Sequence, residues 1–157
     1  MIAFEKSVGG VVFRRRGENT VMFLLLHYRH GHWDFPKGHP EADENDPETL
    51  KREVSEETGL EDIEILPDFK RQIRFFYRAK DREREERKKS GQFINIAKRV
   101  VFYLAETRTK NVKISFEHTG YAWLCYADAL NRITYANSKN VLTKANAHLS
   151  KITASGL

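Results

Sequence analysis

The sequence predicts an α/β fold in which a mixed β-sheet lies between helices as an α/β/α sandwich. Two strand-like segments precede one acidic helix, further strand-like segments follow it, and an amphipathic helical segment lies near the end of the 157 residues. Strands that alternate with helices in this way are typical of layered α/β domains. Since this length suffices for one domain with its own core, we expect residues 1–157 to form a single domain.

The first two predicted strands, 7–15 and 20–29, are rich in β-branched, aliphatic and aromatic residues. The turn residues 17–19 lie between them, so a hairpin is expected. The longest apolar run, 21–26, has the length of a strand and is far shorter than a membrane span, and we expect no membrane association. A single cysteine, Cys125, excludes an internal disulfide and favours a cytoplasmic location.

The segment 30–39 contains two glycines and a proline, which predict an irregular loop. An acidic helix follows. We expect it to begin at about Pro47, with Asp46 as its N-cap, because proline is tolerated at the first helical position. Gly59 predicts its end, since glycine adopts the left-handed conformation of a C-terminal cap without strain.

Three carboxylates of this helix, Glu53, Glu56 and Glu57, are spaced i, i+3 and i+4 and project from one face. Residues 41–64 hold eleven acidic and two basic residues, so this stretch carries −9 and the other 133 residues carry +14. A hard divalent cation would relieve the repulsion, and oxygen ligands of this kind suit Mg²⁺, with Mn²⁺ as the alternative. The alternative without a metal is a solvated acidic face.

The separation of acidic from basic residues favours a polyphosphate substrate, and RNA is a second partner that a basic surface fits. High Lys and Glu content that only keeps the protein soluble is the other explanation. Within the loop 30–39, His32, Trp33 and Lys37 offer a hydrogen-bond donor, a stacking surface and a phosphate-binding ammonium group. For Trp33, packing at the edge of the core is the alternative role.

The second half of the chain returns to strands. Extended segments are expected at 63–66, 69–78 and 93–106, and Phe75 and Tyr77 share one face of the second segment. The segment 78–92 has seven basic and four acidic residues and almost nothing apolar, which predicts a protruding, solvated or partly helical insertion. The apolar spacing near the end predicts a helix over about 137–153, with Asn137 or Ser138 as its cap.

The stretch from Gly38 to Leu60 matches all nine specified positions of the Nudix box: glycine, five residues, Glu44, seven residues, and then 52–60, REVSEETGL. The chain therefore resembles the Nudix hydrolase family. This resemblance implies a Nudix-type α/β/α sandwich and a loop, helix and loop that bind magnesium and hydrolyse a diphosphate linked to a nucleoside.

Four further segments are similar, in order, to motifs of the asymmetrical diadenosine tetraphosphate hydrolases of animals and archaea. They are FLLLHYRHGHWDFPKGHPE at 23–41, FKRQI at 69–73, VVFYLAE at 100–106 and SFEHTGYAWL at 115–124. By this resemblance, Arg52 orients a box glutamate through a salt bridge, and Glu117 is a further metal ligand or the base. The implied metal set is Gly38, Glu53, Glu56, Glu57 and Glu117, and the catalytic set is Arg52, Glu53, Glu57 and Glu117.

The same resemblance implies how the substrate is bound. His32, Lys37 and either Lys98 or Arg99 would hold the phosphate chain. Tyr121 would sandwich an adenine together with Phe75 or Tyr77. The implied reaction is metal-assisted attack of water on a terminal-side phosphorus, which releases AMP and ATP while a glutamate accepts the proton.

Three alternatives stay open at the level of sequence. The basic surface favours an RNA 5′-end pyrophosphohydrolase, and a nucleotide-sanitising Nudix enzyme is another candidate. A nucleotide- or RNA-binding Nudix module without turnover is the non-enzymatic alternative, although its usual mark, a lost box glutamate, is not found. We expect a monomer whose partner is a small-molecule nucleotide.

Overall fold

The computed structural model describes residues 1–154, which form a seven-stranded mixed sheet with helices on both faces. This architecture confirms the predicted α/β/α sandwich. In chain order the elements are β1 (Ile2–Arg16), β2 (Thr20–Tyr28), β3 (Trp33–Asp34), β4 (Lys37–Gly38), α1 (Asp46–Thr58), β5 (Glu64–Arg78), α2 (Asp81–Lys89), β6 (Asn95–Glu106), β7 (His118–Leu124), α3 (Tyr126–Arg132) and α4 (Ala136–Ala154).

The sheet is organised around β1, whose 15 residues pair with different strands along their length. Its strand order is β3-β2-β1-β6-β5, with β7 paired to β2 and β4 paired to β1. The β1–β6 pair is parallel, whereas β2, β4 and the β5–β6 pair run antiparallel. Because β2 pairs with only the last residues of β1, room is left beside β1 for the short strand β4. The predicted β1–β2 hairpin is confirmed.

Two hydrophobic clusters hold the helices against the sheet. On one face, Leu50 and Val54 of α1 pack with Val8, Val12 and Leu24. On the other face, α3 and α4 cover a cluster that includes Phe13, Phe35, Phe102, Leu142 and Ala145. None of the helices within residues 1–154 combines the length and hydropathy that a membrane crossing needs.

The N-terminal cap of α1 is Asn45, so the prediction of Asp46 as the cap is wrong by one residue. Asn45 is extended (φ −83°, ψ 170°), and its side chain accepts a hydrogen bond from the Glu48 amide at 2.9 Å. The Glu48 side chain accepts a hydrogen bond from the Asn45 amide in return, which completes a capping box. At the other end Gly59 adopts φ 73°, as predicted for the C-cap.

Other element boundaries also differ from the sequence-based expectation. The two extended segments after α1 form one strand, β5, with an irregular register between Ile65 and Lys70. The loop 30–39 contains the short strands β3 and β4, because its backbone pairs with β2 and β1. The last helix begins at Ala136, so Asn137 and Ser138 lie in its first turn and are not caps. The basic insertion 78–92 contains α2, in line with its partly helical prediction.

Candidate active site

The site is built on the face of α1 that carries the three box carboxylates. Glu57 is almost buried, with 4% of its surface exposed, and one of its carboxylate oxygens accepts a hydrogen bond from the Lys37 amide at 3.1 Å. Glu53 is half-buried, and Glu56 is exposed. All three line one cleft, together with Gly38, Lys37 and other residues of β4 and its flanks. The helical spacing predicted from the sequence therefore places these carboxylates together.

Arg52 fixes the acidic side chains around it. Its Nε donates to Glu44 at 2.7 Å, and its Nη1 donates to Glu53 at 2.9 Å and to Glu56 at 3.2 Å. The Nη2 group donates to Glu44 and to the His39 carbonyl oxygen. The hydrogen bond from Arg52 lowers the pKa of Glu44 to about 2. This geometry fits the predicted orienting role of Arg52, which stays a prediction.

Gly38 makes room for the Glu53 carboxylate. A Cβ atom on this residue would lie 1.9 Å from Glu53 Cδ, far inside any van der Waals contact. Gly38 is held there because β4 pairs with β1, where it faces Val8. Only glycine allows the backbone to come this close to a functional group without displacing its neighbours.

Glu117 reaches the same site from the end of a loop. The Ser115 amide donates to the Glu57 carbonyl oxygen at 3.2 Å, and the Lys113 amide donates to that of Thr58 at 2.9 Å. These bonds join the segment before β7 to the C-terminal end of α1. One ligand atom from each of Glu57, Glu117 and His118 lies within 4.8 Å of the others.

His118 is a site residue that sequence reasoning did not single out. It is 3% exposed, its Nδ1 lies 3.1 Å from the Ser115 hydroxyl, and its ring packs edge-on against Tyr28 at 4.5 Å. Among the residues that the structure describes, its buried Nε2 has no hydrogen-bond partner. Burial lowers the pKa of His118, which favours the neutral ring that binds metals. The dipeptide of Glu117 and His118 at a strand start was the available signal.

The charge balance of the cluster tests whether a divalent cation fits. Burial, followed by the nearby charge of Glu53, raises the pKa of the Glu57 carboxyl to about 8. Burial also raises the pKa of Glu53, against the opposing hydrogen bond from Arg52. Crowded carboxylates with raised pKa values and an unpartnered buried imidazole nitrogen are a donor set that a hard divalent cation satisfies. The residues therefore fit a divalent metal site.

The predicted phosphate-binding residues do not all lie in the cleft. Lys37 and Lys98 line it, and Lys37 also forms an ion pair with the buried Asp34 at 3.3 Å. Burial, followed by the charge of Lys37, lowers the pKa of Lys98. Arg99 is exposed and, as the next residue of β6, points to the opposite face of the sheet. Of the two alternatives, Lys98 is the one that the structure brings to the cleft.

His32 and Trp33 each stack on another ring of the same region. The ring of His32 is stacked on Tyr28, with centroids 4.5 Å apart. Trp33 is stacked on His27 at 4.4 Å, and the guanidinium group of Arg132 lies over the Trp33 ring, 4.9 Å from its centroid. Trp33 also packs against the hydrophobic core, as its alternative role predicts.

The predicted adenine-binding rings lie on separate strands. Because side chains alternate along a strand, Phe75 and Tyr77 lie on the same face of β5, and their ring centroids are 6.2 Å apart. Tyr121 lies on β7, paired with Leu26 of β2, and is 41% exposed. Because β6, β1 and β2 lie between β5 and β7 in the sheet order, the structure does not pair Tyr121 with either ring. The adenine sandwich stays a prediction.

Comparison with known proteins agrees with this fold. The NUDIX domain matches residues 3–145, which is most of the chain. The chain therefore belongs to the Nudix family, and it is a hydrolase of that family. The Nudix box supplies several residues of the site, namely the three carboxylates of α1, Arg52 and Gly38.

The chain is also similar to individual proteins and to a solved structure. The chain is 33% identical to the mouse bis(5′-nucleosyl)-tetraphosphatase (asymmetrical), over 92% of this chain and 95% of that protein. A crystal structure of a C. elegans Ap4A hydrolase binary complex superposes with a TM-score of 0.75 at 28% identity, covering 94% of this chain and 98% of that one. An RNA pyrophosphohydrolase of Stenotrophomonas maltophilia is 29% identical over 74% of this chain and 53% of its own length.

Proposed function

We propose that this Nudix hydrolase is magnesium-dependent and cleaves diadenosine tetraphosphate asymmetrically into ATP and AMP. The observation that carries the proposal is the similarity to the mouse asymmetrical tetraphosphatase along nearly the full length of both proteins. The likeness to the C. elegans Ap4A hydrolase structure supports it at the level of the fold. The lysines of the cleft support it chemically, because a tetraphosphate chain needs several cations.

The proposed roles follow the geometry of the cleft. Glu53, Glu56, Glu57 and Glu117 would hold magnesium, with His118 beside them. When bound, the metal would neutralise phosphate oxygens and lower the pKa of water.

Lys37 and Lys98 would hold the phosphate chain in line for attack by water on a terminal-side phosphorus. Glu57 or Glu117, whose carboxylates are not bound by Arg52, accepts the proton of the attacking water. The new P–O bond forms as the bridging P–O bond breaks, and the leaving phosphate takes the electron pair.

Hydrolysis in heavy-oxygen water tests this proposal. Purified protein with magnesium and diadenosine tetraphosphate is expected to yield ATP and AMP in equal amounts, with the heavy oxygen in one product only. Two molecules of ADP would show symmetrical cleavage and refute the proposal. A Glu57→Gln variant, whose amide oxygen can still accept from the Lys37 amide, serves as the inactive control.

The second candidate is removal of pyrophosphate from the 5′ end of RNA. The similarity to an RNA pyrophosphohydrolase over 74% of this chain favours it, as does the basic charge outside the box. Triphosphorylated RNA, assayed beside the dinucleotide under the same conditions, separates the two. A kcat/KM at least tenfold higher for the RNA would favour this second activity.

We also propose that the chain forms one domain, acts as a monomer and works in the cytoplasm. The two hydrophobic clusters share one sheet, which supports the single domain. The free Cys125 supports a reducing compartment. Sedimentation and cell fractionation test the last two proposals.

A further inference from the structure

One face of the sheet extends beyond the helix that covers it. α1 packs on this face as far along β1 as Val8, and the ion pair between Lys6 and Asp46 lies at the edge of the covered part. Beyond that edge, Phe4 of β1 is 82% exposed and Phe76 of β5 is 76% exposed. Within residues 1–154, therefore, no segment shields these two rings from solvent.

The two rings flank a small residue in one row of the sheet. Phe4 pairs with Ala97 of β6, and Ala97 pairs with Phe76, so the three side chains emerge on the same face. Together with their neighbours they line a depression of about 510 Å³. Two exposed aromatic rings on either side of a small alanine offer a surface on which a flat ring can stack.

The next row of the same face consists of three cations. Lys6 pairs with Arg99 in the parallel β1–β6 ladder, and Arg99 pairs with Arg74 in the β5–β6 ladder. Like charges directly opposite each other destabilise a sheet. Asp46 neutralises Lys6, whereas both arginines are exposed. Arg78 adds a fourth cation on the other side of the aromatic row. The rows are about 6.6 Å apart, two residues along a strand.

We propose that this aromatic-basic face, formed by Phe4, Phe76, Arg74 and Arg99 around Ala97, binds single-stranded nucleic acid. Bases stack on exposed aromatic rings of a sheet, and arginines beside them bind the phosphates. The charge of the face opposes a second copy as the occupant, because both copies would bring cations to the contact. A polyanion that also carries flat rings satisfies both rows at once.

The aromatic-basic face lies on the side of the sheet opposite to the catalytic cleft, although Lys98 borders both depressions. Side chains alternate along β6, so Lys98 points into the cleft while Ala97 and Arg99 belong to the other face. On the cleft side, α2 is held against the sheet by Arg87, which binds Glu5. Binding at the aromatic-basic face therefore does not require hydrolysis, and it does not depend on which nucleotide the cleft accepts.

Fluorescence anisotropy with a labelled, 5′-hydroxyl RNA decamer tests the proposal. The full chain is titrated in EDTA, where neither a 5′ phosphate nor a metal engages the cleft. We expect saturable binding that weakens with salt, about fivefold or more weaker binding for Phe76→Ala, and near-normal binding for Phe76→Tyr, which keeps the ring. Arg74→Glu should weaken binding and reduce its salt dependence.

Arg82→Glu is the matched control, since it makes the same charge change at an exposed position of α2. It should bind the RNA more tightly than Arg74→Glu, and all variants should keep the wild-type turnover of the nucleotide substrate. Three results would overturn the proposal. The first is the absence of saturable RNA binding, and the second is equal weakening of that binding by Arg82→Glu and Arg74→Glu. The third is that Phe76→Ala leaves RNA binding unchanged but abolishes a dimer or the binding to phosphatidylserine vesicles.

Discussion

The site has no room for a side chain at Gly38. In Gly38→Ala the new methyl group must displace the Glu53 carboxylate, which would lose its hydrogen bond from Arg52. Since a displacement of about 1 Å in a catalytic group can cost roughly 100-fold in rate, we expect kcat to fall by about that factor. Steady-state kinetics at saturating magnesium measures the effect.

Gly120→Ala is the control for the Gly38 substitution. A Cβ atom at Gly120 would lie 3.8 Å from its nearest neighbour, the Cβ of His27, which is ordinary contact. Both variants should keep the wild-type circular dichroism spectrum. Gly38→Ala that turns over at the wild-type rate would show that Glu53 can move without loss of activity.

Tyr121 tests the proposed adenine contact. Stacking of a base on an aromatic ring is worth about 1 to 3 kcal/mol, so Tyr121→Ala should raise KM roughly 5- to 150-fold, while Tyr121→Phe keeps the ring and the affinity. The exposed position on β7 leaves the ring available for such a contact. If Tyr121→Ala lowers the melting temperature but leaves KM unchanged, the ring only packs at the sheet surface.

At the residue scale, sequence could predict what depends on local spacing. The i, i+3 and i+4 carboxylates emerge together because a helix of known period carries them. His118 could not be placed, because hydrogen bonds from the preceding loop to α1 bring it beside Glu57. Likewise, the choice between Lys98 and Arg99 needs the register of β6, which no local pattern contains.

At the scale of elements, Asp46 joins the first turn of α1 to the sheet. Its carboxylate accepts hydrogen bonds from Lys6 and from the Tyr103 hydroxyl, each at 2.6 Å. Burial raises the pKa of Asp46, but these two bonds outweigh burial and leave the pKa below its ordinary value. The ionised carboxylate is therefore favoured in the folded protein.

Asp46→Asn should accordingly destabilise the protein by about 1 kcal/mol at pH 7. A carboxyl whose folded pKa is lowered stabilises the fold above its unfolded pKa of about 4, and this contribution is lost as the pH falls through the folded value. The difference between wild type and variant should shrink below about pH 4. Urea unfolding at pH 7 and pH 3 measures it, with exposed Asp43→Asn as control. A difference independent of pH would contradict this account.

The helix α2 shows why composition alone did not define the insertion. All nine of its residues are charged, which is typical of a solvated segment. Yet Arg87 is 9% exposed, and it binds Glu5 of β1 and Glu83 of its own helix. One long-range ion pair thus attaches the insertion to the sheet, and its partner lies 82 positions earlier in the chain. No local pattern predicts such a contact.

Arg87→Ala should release α2 from the sheet, because it leaves Glu5 without its cation. Amide hydrogen exchange over 80–92 is expected to accelerate by about tenfold or more, while exchange in β2 stays slow. Arg82→Ala removes a pair that is exposed on both sides, Arg82 with Glu86, and should change exchange little. Equal protection in both variants would show that α2 is held by other contacts.

At the scale of the whole molecule, the acidic cluster stores repulsion that a bound cation relieves. Glu57 is buried beside Glu53 and Glu117, and its pKa of about 8 expresses the cost of ionising it there. Arg52, from the acidic stretch itself, binds Glu53, and Lys37 and Lys98 from the basic remainder of the chain line the same cleft. Metal binding and folding stability should therefore be coupled.

Magnesium is accordingly expected to raise the melting temperature. At 100 times the dissociation constant, a ligand that binds only the folded state stabilises it by about 2.7 kcal/mol, or roughly 5 to 10 °C for a domain of this size. Glu57→Gln should lose most of this gain, yet melt no lower than wild type in EDTA, since it removes a buried acid that its neighbours repel. Exposed Glu85→Gln of α2 is the control and should respond to magnesium like wild type. Equal magnesium shifts in Glu57→Gln and wild type, measured by calorimetry, would place the cation elsewhere.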